Sequence, residues 1–164
     1  MNKDYQIRDS ELRILREEIL KTSEKWPQYN LLIDDLLYLS KHTNSNTKVL
    51  IMERNLLYGG VSIFSPFFRK TNLSLCELTP EKLKVRGSYN ANLVSDIYKE
   101  IESSIQYKGL FNSFEEMEGY KFDLIVVPNL VHHIDDQNDF FCSIHKLLSD
   151  NGQLYVFEAL LREI

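Results

Sequence analysis

The segment FDLIVVPNLVHHI, Phe122 to Ile134, decides the fold of this chain. It sets an acidic residue, Asp123, ahead of the apolar run Leu124 to Val127, and it closes in a polar knot of Asn129, His132 and His133. A short continuous apolar run bounded by polar residues fits a strand buried on both faces. Downstream lie Asp135-Asp136, an amphipathic segment over about 137–148, the turn Asp150-Asn151-Gly152, and a second apolar run from Gln153 to Phe157. The order is strand, polar loop, helix, turn, strand. A connection of that length is what a parallel crossover requires.

Working outward, Val49-Leu50-Ile51-Met52 is another short apolar run of the buried-strand kind. Leu73 to Glu77 reads as a strand ended by Thr79-Pro80, and Tyr107 to Phe111 as a weaker one. Between them, Leu93, Ile97 and Ile101 predict a helix over about 91–103. Val61 to Phe68 holds room for a short helix broken near Pro66. Phe114 to Met117 is a helical turn. At the N-terminus, Leu12, Leu15 and Ile19 share one face of a helix over 9–24, with Glu11 in the first turn. A second helix over 27–41 starts at Pro27 and carries Leu32, Leu36 and Leu39, widened by Ile33, Leu37 and Tyr38. The polar loop His42 to Thr47 is the clearest boundary. The expected fold is α/β, a doubly wound, mostly parallel, Rossmann-like sheet of about five strands preceded by two N-terminal helices. Residues 1–46 form a helical cap and 47–164 the α/β domain, together one compact unit.

Composition narrows the function. The chain has 164 residues, 43 % of them apolar and 26 % charged, which suits one globular domain. A net charge of -5 argues against nucleic acid or an anionic membrane as the main partner, since both favour a cationic face. No apolar run approaches the roughly 20 residues that span a bilayer. The N-terminus lacks the apolar core of a secretory signal, so a cytoplasmic location is expected. Cys76 and Cys142 lie in no paired motif and read as buried free thiols; four scattered histidines show no zinc spacing, so no metal is expected.

Ligands of open α/β sheets sit beyond the carboxyl ends of the strands, near the switch in strand order. The residues just past the strands are therefore the candidates: Glu53, Arg54, Asn55 and Gly59-Gly60, then Glu77, then Asn112 and Ser113, then Asn129, His132 and His133, then Glu158. A carboxylate such as Glu77 offers two acceptor oxygens to the two hydroxyls of a nucleoside ribose. Gly59 and Gly60 would let backbone approach a ligand closely. A neutral imidazole at His132 or His133 could take a proton from a hydroxyl or amine.

Residues 122–158, FDLIVVPNLVHHIDDQNDFFCSIHKLLSDNGQLYVFE, resemble the second half of a class I S-adenosylmethionine-dependent methyltransferase. Leu75-Cys76-Glu77-Leu78-Thr79-Pro80 resembles that family's second strand, whose acidic residue binds the ribose. The resemblance implies that Glu77 holds the ribose, Asn112 and Ser113 the adenine, and Glu53, Gly59, Gly60 and Asn129 other parts of S-adenosylmethionine. His132 and His133 would face the acceptor. Two departures stand out. Val49 to Tyr58 has no glycine where the family's cofactor turn lies, and Gly59-Gly60 arrives several residues late. The family's last two strands are also missing, so the fifth strand is expected to be an open edge. Either the chain is a fragment, or that edge is covered by a second subunit or the chain's own segment.

Two functions are therefore expected. The first is methyl transfer to a small-molecule acceptor. The alternative is a catalytically inactive methyltransferase-like module that binds or assembles, with strand pairing at the open edge making a homodimer. A dinucleotide-binding domain is disfavoured by the absent Gly-rich fingerprint.

Overall fold

The computed structural model describes residues 9–22, 29–53, 64–78 and 103–158. Helices α1 (Asp9–Thr22) and α2 (Tyr29–Lys41) precede strand β1 (Lys48–Glu53). A 3-10 turn, Ser65–Phe68, leads into β2 (Asn72–Glu77), and β3 is Gly109–Phe111. After the 3-10 turn Glu115–Met117 come β4 (Phe122–Pro128), a further turn at Val131–His133, α3 (Gln137–Leu147) and β5 (Leu148–Phe157). The helix expected over 91–103 falls almost wholly outside the described residues, as do Arg54, Asn55, Gly59 and Gly60.

The strand order is β3-β2-β1-β4-β5, and every pairing is parallel. The chain builds outward from β1 through β2 to β3, then crosses to the other side of β1 for β4 and β5. That reversal puts the topological switch between β1 and β4. The doubly wound parallel sheet expected from the sequence is thus the sheet observed.

Alternation along β1 explains the two layers. Val49 and Ile51 point to one face, where they pack with Leu73, Leu75, Leu124 and Val126 under Leu15 of α1 and Leu32, Ile33 and Leu36 of α2. Leu50 and Met52 point to the other, with Cys76, Ile125 and Val127 under Phe140, Ile144 and Leu147 of α3. Each fully buried aliphatic side chain stabilises the fold by about 1.5–3 kcal/mol relative to exposure. The N-terminal helices therefore roof one face of the sheet and share its core. Glu11 and Arg69 pair at 3.0 Å with both side chains mostly covered, and the Tyr155 hydroxyl of β5 donates to Asp35 of α2 at 2.6 Å. Tyr38 departs from the expected stripe: it is 63 % exposed, because the core takes up only the Leu32–Leu36 side of α2. No helix among the described residues is long and apolar enough to cross a membrane.

Three local expectations change. Pro66 begins the turn at Ser65–Phe68 rather than breaking a helix, because its missing N–H costs nothing in the first turn. Cys142 is exposed on the outer side of α3, while Cys76 is buried. The turn expected at Asp150-Asn151-Gly152 is absorbed into β5. Phe122 pairs with Leu148 and Leu124 with Gln153, so the extra residues bulge out of the ladder. Gly152 permits this. A Cβ there would lie 2.8 Å from the Phe122 carbonyl oxygen and 3.0 Å from Ser149 backbone atoms. Gly152→Ala should destabilise the fold by about 1–3 kcal/mol, since only backbone can yield; denaturant unfolding with an unchanged slope checks this.

At the opposite end of β4, the Asp123 carboxylate accepts from the Lys48 backbone N–H at 2.9 Å and from the Ser149 hydroxyl at 2.9 Å. The acidic residue that opens the fold-deciding segment is therefore a clasp for the starts of β1, β4 and β5.

Candidate functional site

The carboxyl ends of the strands gather the polar residues that the sequence singled out. Glu53 ends β1 and Glu77 ends β2, and the two are register partners across the parallel ladder. Glu53 is buried, at 8 % exposure, and Glu77 is half-buried. Two carboxylates side by side next to the switch give a concentrated set of acceptor oxygens. The local field shows in Cys76, which precedes Glu77. Burial first, then Glu116 and Glu77, push its thiol up from 9.0 to about 12.

That shift has two consequences. The buried thiol should resist iodoacetamide at pH 8 while Cys142 is alkylated, which peptide mass mapping reads directly. The folded-state value lies above the ordinary one, so the contribution to stability is complete below pH 9 and is lost as pH rises toward 12. Tyr155, raised by burial and by its bond to Asp35, acts in the same direction. The melting temperature should accordingly fall between pH 9 and 12.

Asn112 and Ser113 follow β3 and organise the next turn. The Asn112 backbone N–H donates to Glu116 Oε2 at 2.7 Å, and Ser113 Oγ accepts from the Glu116 backbone N–H at 3.4 Å. The two bonds tie Glu116 back to the residues just after β3. They engage the Ser113 hydroxyl, while the exposed Asn112 spends only its backbone N–H there.

The end of β4 is the most constrained part of the site. Asn129 has φ 51°, the left-handed region that costs most residues about 1 kcal/mol and that asparagine tolerates. Its backbone N–H donates to the Phe157 carbonyl at 2.7 Å, which holds the reversal against β5. Glu158, just past β5, then accepts twice. Oε1 takes the Val131 backbone N–H at 2.7 Å, and Oε2 takes His132 Nδ1 at 2.5 Å. His133 lies beside His132, with ring centroids 3.8 Å apart. His132 is 44 % exposed at its side chain and Glu158 19 %. The sequence placed Glu158 among the strand-end residues without a role. Its only sequence signal was position, because pairing with His132 depends on β5 lying beside β4.

The structure thus brings Glu53 and Glu77 together, and separately Asn129, His132, His133 and Glu158, on the two sides of the switch. Gly59 and Gly60 lie outside the described residues. A cavity of about 420 Å³ opens at the opposite, amino-terminal end, lined by His42, Asn44, Asn46, Asp123 and Asn151 among others. Its Asp123 is engaged in strand clasping, so the chemistry-bearing groups and this cavity do not coincide. No group of three or more metal-ligating side chains occurs among the described residues.

The strand-end chemistry fits S-adenosylmethionine. A ribose diol needs two acceptors, which a half-buried carboxylate at Glu77 supplies, and a sulfonium cation suits an acidic surround.

Residues 89–156 match the family model described as "Methyltransferase domain". No curated protein matches the sequence. Among solved structures, the CurJ carbon methyltransferase aligns with a TM-score of 0.47 at 15 % identity, over 76 % of this chain and 32 % of that one. The plantazolicin methyltransferase BpumL, solved in complex with SAH, aligns with a TM-score of 0.47 at 10 % identity, over 88 % of this chain and 57 % of that one. The chain therefore spans between a third and three fifths of the length of these two structures.

Proposed function

We propose that the protein is an S-adenosylmethionine-dependent methyltransferase acting on a small-molecule acceptor, a reading supported by the match of residues 89–156 to the methyltransferase-domain family model. The observation that carries this reading is the paired ends of β1 and β2, where Glu53 and Glu77 stand in register beside the switch. Glu77 would hold the ribose hydroxyls, Glu53 would face the same cleft, and Asn112 would lie toward the adenine. When bound, S-adenosylmethionine supplies an activated methyl group whose carbon–sulfur bond breaks with both electrons kept on sulfur. The protein's part is proximity and alignment, which can supply much of the barrier reduction in a two-reactant step. Asn129 and the histidines after β4 would face the acceptor. The net charge of -5 favours a small acceptor over RNA or DNA.

Calorimetric titration of the intact protein with S-adenosylmethionine and S-adenosylhomocysteine tests the reading. Micromolar binding of both is expected. A folded protein that takes up neither would overturn it.

The outer edge of β5 favours a second reading. Among the described residues β5 pairs only with β4. A ten-residue strand with an unpaired edge is a template for strand addition. An inactive module that dimerises there would bind no cofactor and would scatter light as a dimer.

A further inference from the structure

We propose that the cavity at the amino-terminal end of the sheet is a second ligand site, which binds a small organic amine carrying a further hydroxyl or amide. It lies at the opposite end of the strands from Glu53 and Glu77, and its chemistry is independent of the methyltransferase reading.

Three separate segments build the walls. The loop after α2 supplies His42, Asn44 and Asn46, the start of β4 supplies Asp123, and the bulged part of β5 supplies Asn151 and Gln153. The volume of about 420 Å³ is on the scale of small-molecule sites. The loop wall is ordered by its own bonds. Asn44 Oδ1 accepts from the Asn46 backbone N–H at 2.8 Å, and the Asn44 backbone N–H donates to Thr47 Oγ1 at 2.9 Å. Asp123 is fixed in turn by Lys48 N–H and the Ser149 hydroxyl. A wall set before a ligand arrives lowers the ordering cost of binding.

The lining selects a cation. A carboxylate offers about four acceptor positions, and the clasp engages two at Asp123, so the charge and about two positions remain for a ligand. His42 Nδ1 donates to the Tyr38 carbonyl at 2.8 Å, which leaves Nε2 of the neutral ring as an acceptor. The carbonyl end of α2 adds partial negative charge. Among the described residues no lysine or arginine lines the cavity; Lys41 and Lys48 are exposed and form no part of its wall. An ammonium group would therefore meet a carboxylate and a ring lone pair with no competing cation, whereas an anion would face the carboxylate. The side-chain amides of Asn46, Asn151 and Gln153 make no hydrogen bond among the described residues. Each can both donate and accept, which suits a hydroxyl or amide on the rest of the ligand. An occupant would touch the loop after α2 and β5 at once, tying the N-terminal helices to the sheet.

Proton–nitrogen NMR on the 15N-labelled full chain compares ethanolamine with ethylene glycol, which has the same length and no charge. Salt at about 0.15 M screens general attraction to the acidic surface. Expected are saturable shifts confined to the amide signals of Asn44, Asn46, Asn151 and Gln153, with a dissociation constant of about 1–10 mM. Ethylene glycol should bind at least about tenfold more weakly. Gln153→Ala removes an exposed side chain, so the fold should persist while ethanolamine binding weakens roughly 2- to 10-fold. Asp123→Asn should abolish the preference for ethanolamine over ethylene glycol. Should that variant fail to fold through loss of its clasp, Gln153→Ala and the comparison of the two probes decide. An equal response to both probes, shifts spread over the surface without saturation, or unchanged binding in Gln153→Ala would overturn the proposal. Titration with S-adenosylmethionine reads the opposite end of the strands, so failure at either site leaves the other standing.

Discussion

Glu77→Ala should weaken S-adenosylmethionine binding by roughly 10- to 100-fold. The expectation follows from hydrogen bonds to a charged group, each contributing about 1.5–3 kcal/mol, with about 1.4 kcal/mol per factor of ten. Glu77 can carry such an effect because the ladder fixes it. Its neighbours Leu75 and Cys76 are buried and its backbone pairs with Glu53, so the carboxylate is aimed by strand geometry. The same ladder predicts little cost to the fold. The side chain is half-exposed at a strand end, and such substitutions usually change stability by no more than about 0.5 kcal/mol. Calorimetry on the variant, with a melting curve as control, checks both parts. Equal affinity in wild type and variant would exclude Glu77 from the cofactor site.

Leu36→Ala is expected to have the largest effect on stability, about 2–5 kcal/mol, and to lower the melting temperature by roughly 5–15 °C. Leu36 is 0 % exposed and packs with Val49, Ile51, Leu124 and Val126, so its removal opens a cavity between α2 and the middle of the sheet. Tyr38→Ala on the same helix should change little, because that side chain is 63 % exposed. Thermal unfolding of the two variants distinguishes a helix integral to the core from a loosely laid cap. If Leu36→Ala were as mild as Tyr38→Ala, the N-terminal helices would be dispensable to the sheet.

Much of this architecture was legible in the residues because burial on both faces leaves a mark. Val49 to Met52 and Leu124 to Val127 are continuous apolar runs, and only strands covered on two sides tolerate them. The α3 stripe was legible for a related reason: Phe140, Ile144 and Leu147 repeat at helical spacing. What misled was chemistry that looks alike in two settings. Asp150-Asn151-Gly152 has turn composition, yet the structure uses it as a bulge inside β5, because Gly152 lets the strand approach the Phe122 carbonyl. Tyr38 sits at the rim of an apolar stripe, and no count of spacing tells how far around the helix the core extends.

The site divides in the same way. Glu53, Glu77, Asn112 and Asn129 were singled out by one rule, that ligands lie past the carboxyl ends of parallel strands. The clasp made by Asp123 and the pair made by Glu158 and His132 were not found. Asp123 and Ser149 are 26 residues apart, as are His132 and Glu158. By itself, the sequence determined which stretches are buried strands, that the sheet is parallel, and which polar residues stand at its ends, since each follows from local pattern and connection length. The tertiary structure alone decided that β4 lies between β1 and β5. That adjacency made Asp123 a clasp, forced Asn129 into the left-handed region against Phe157, and joined Glu158 to His132. Strand neighbours are chosen by packing over the whole sheet, and no local pattern encodes them.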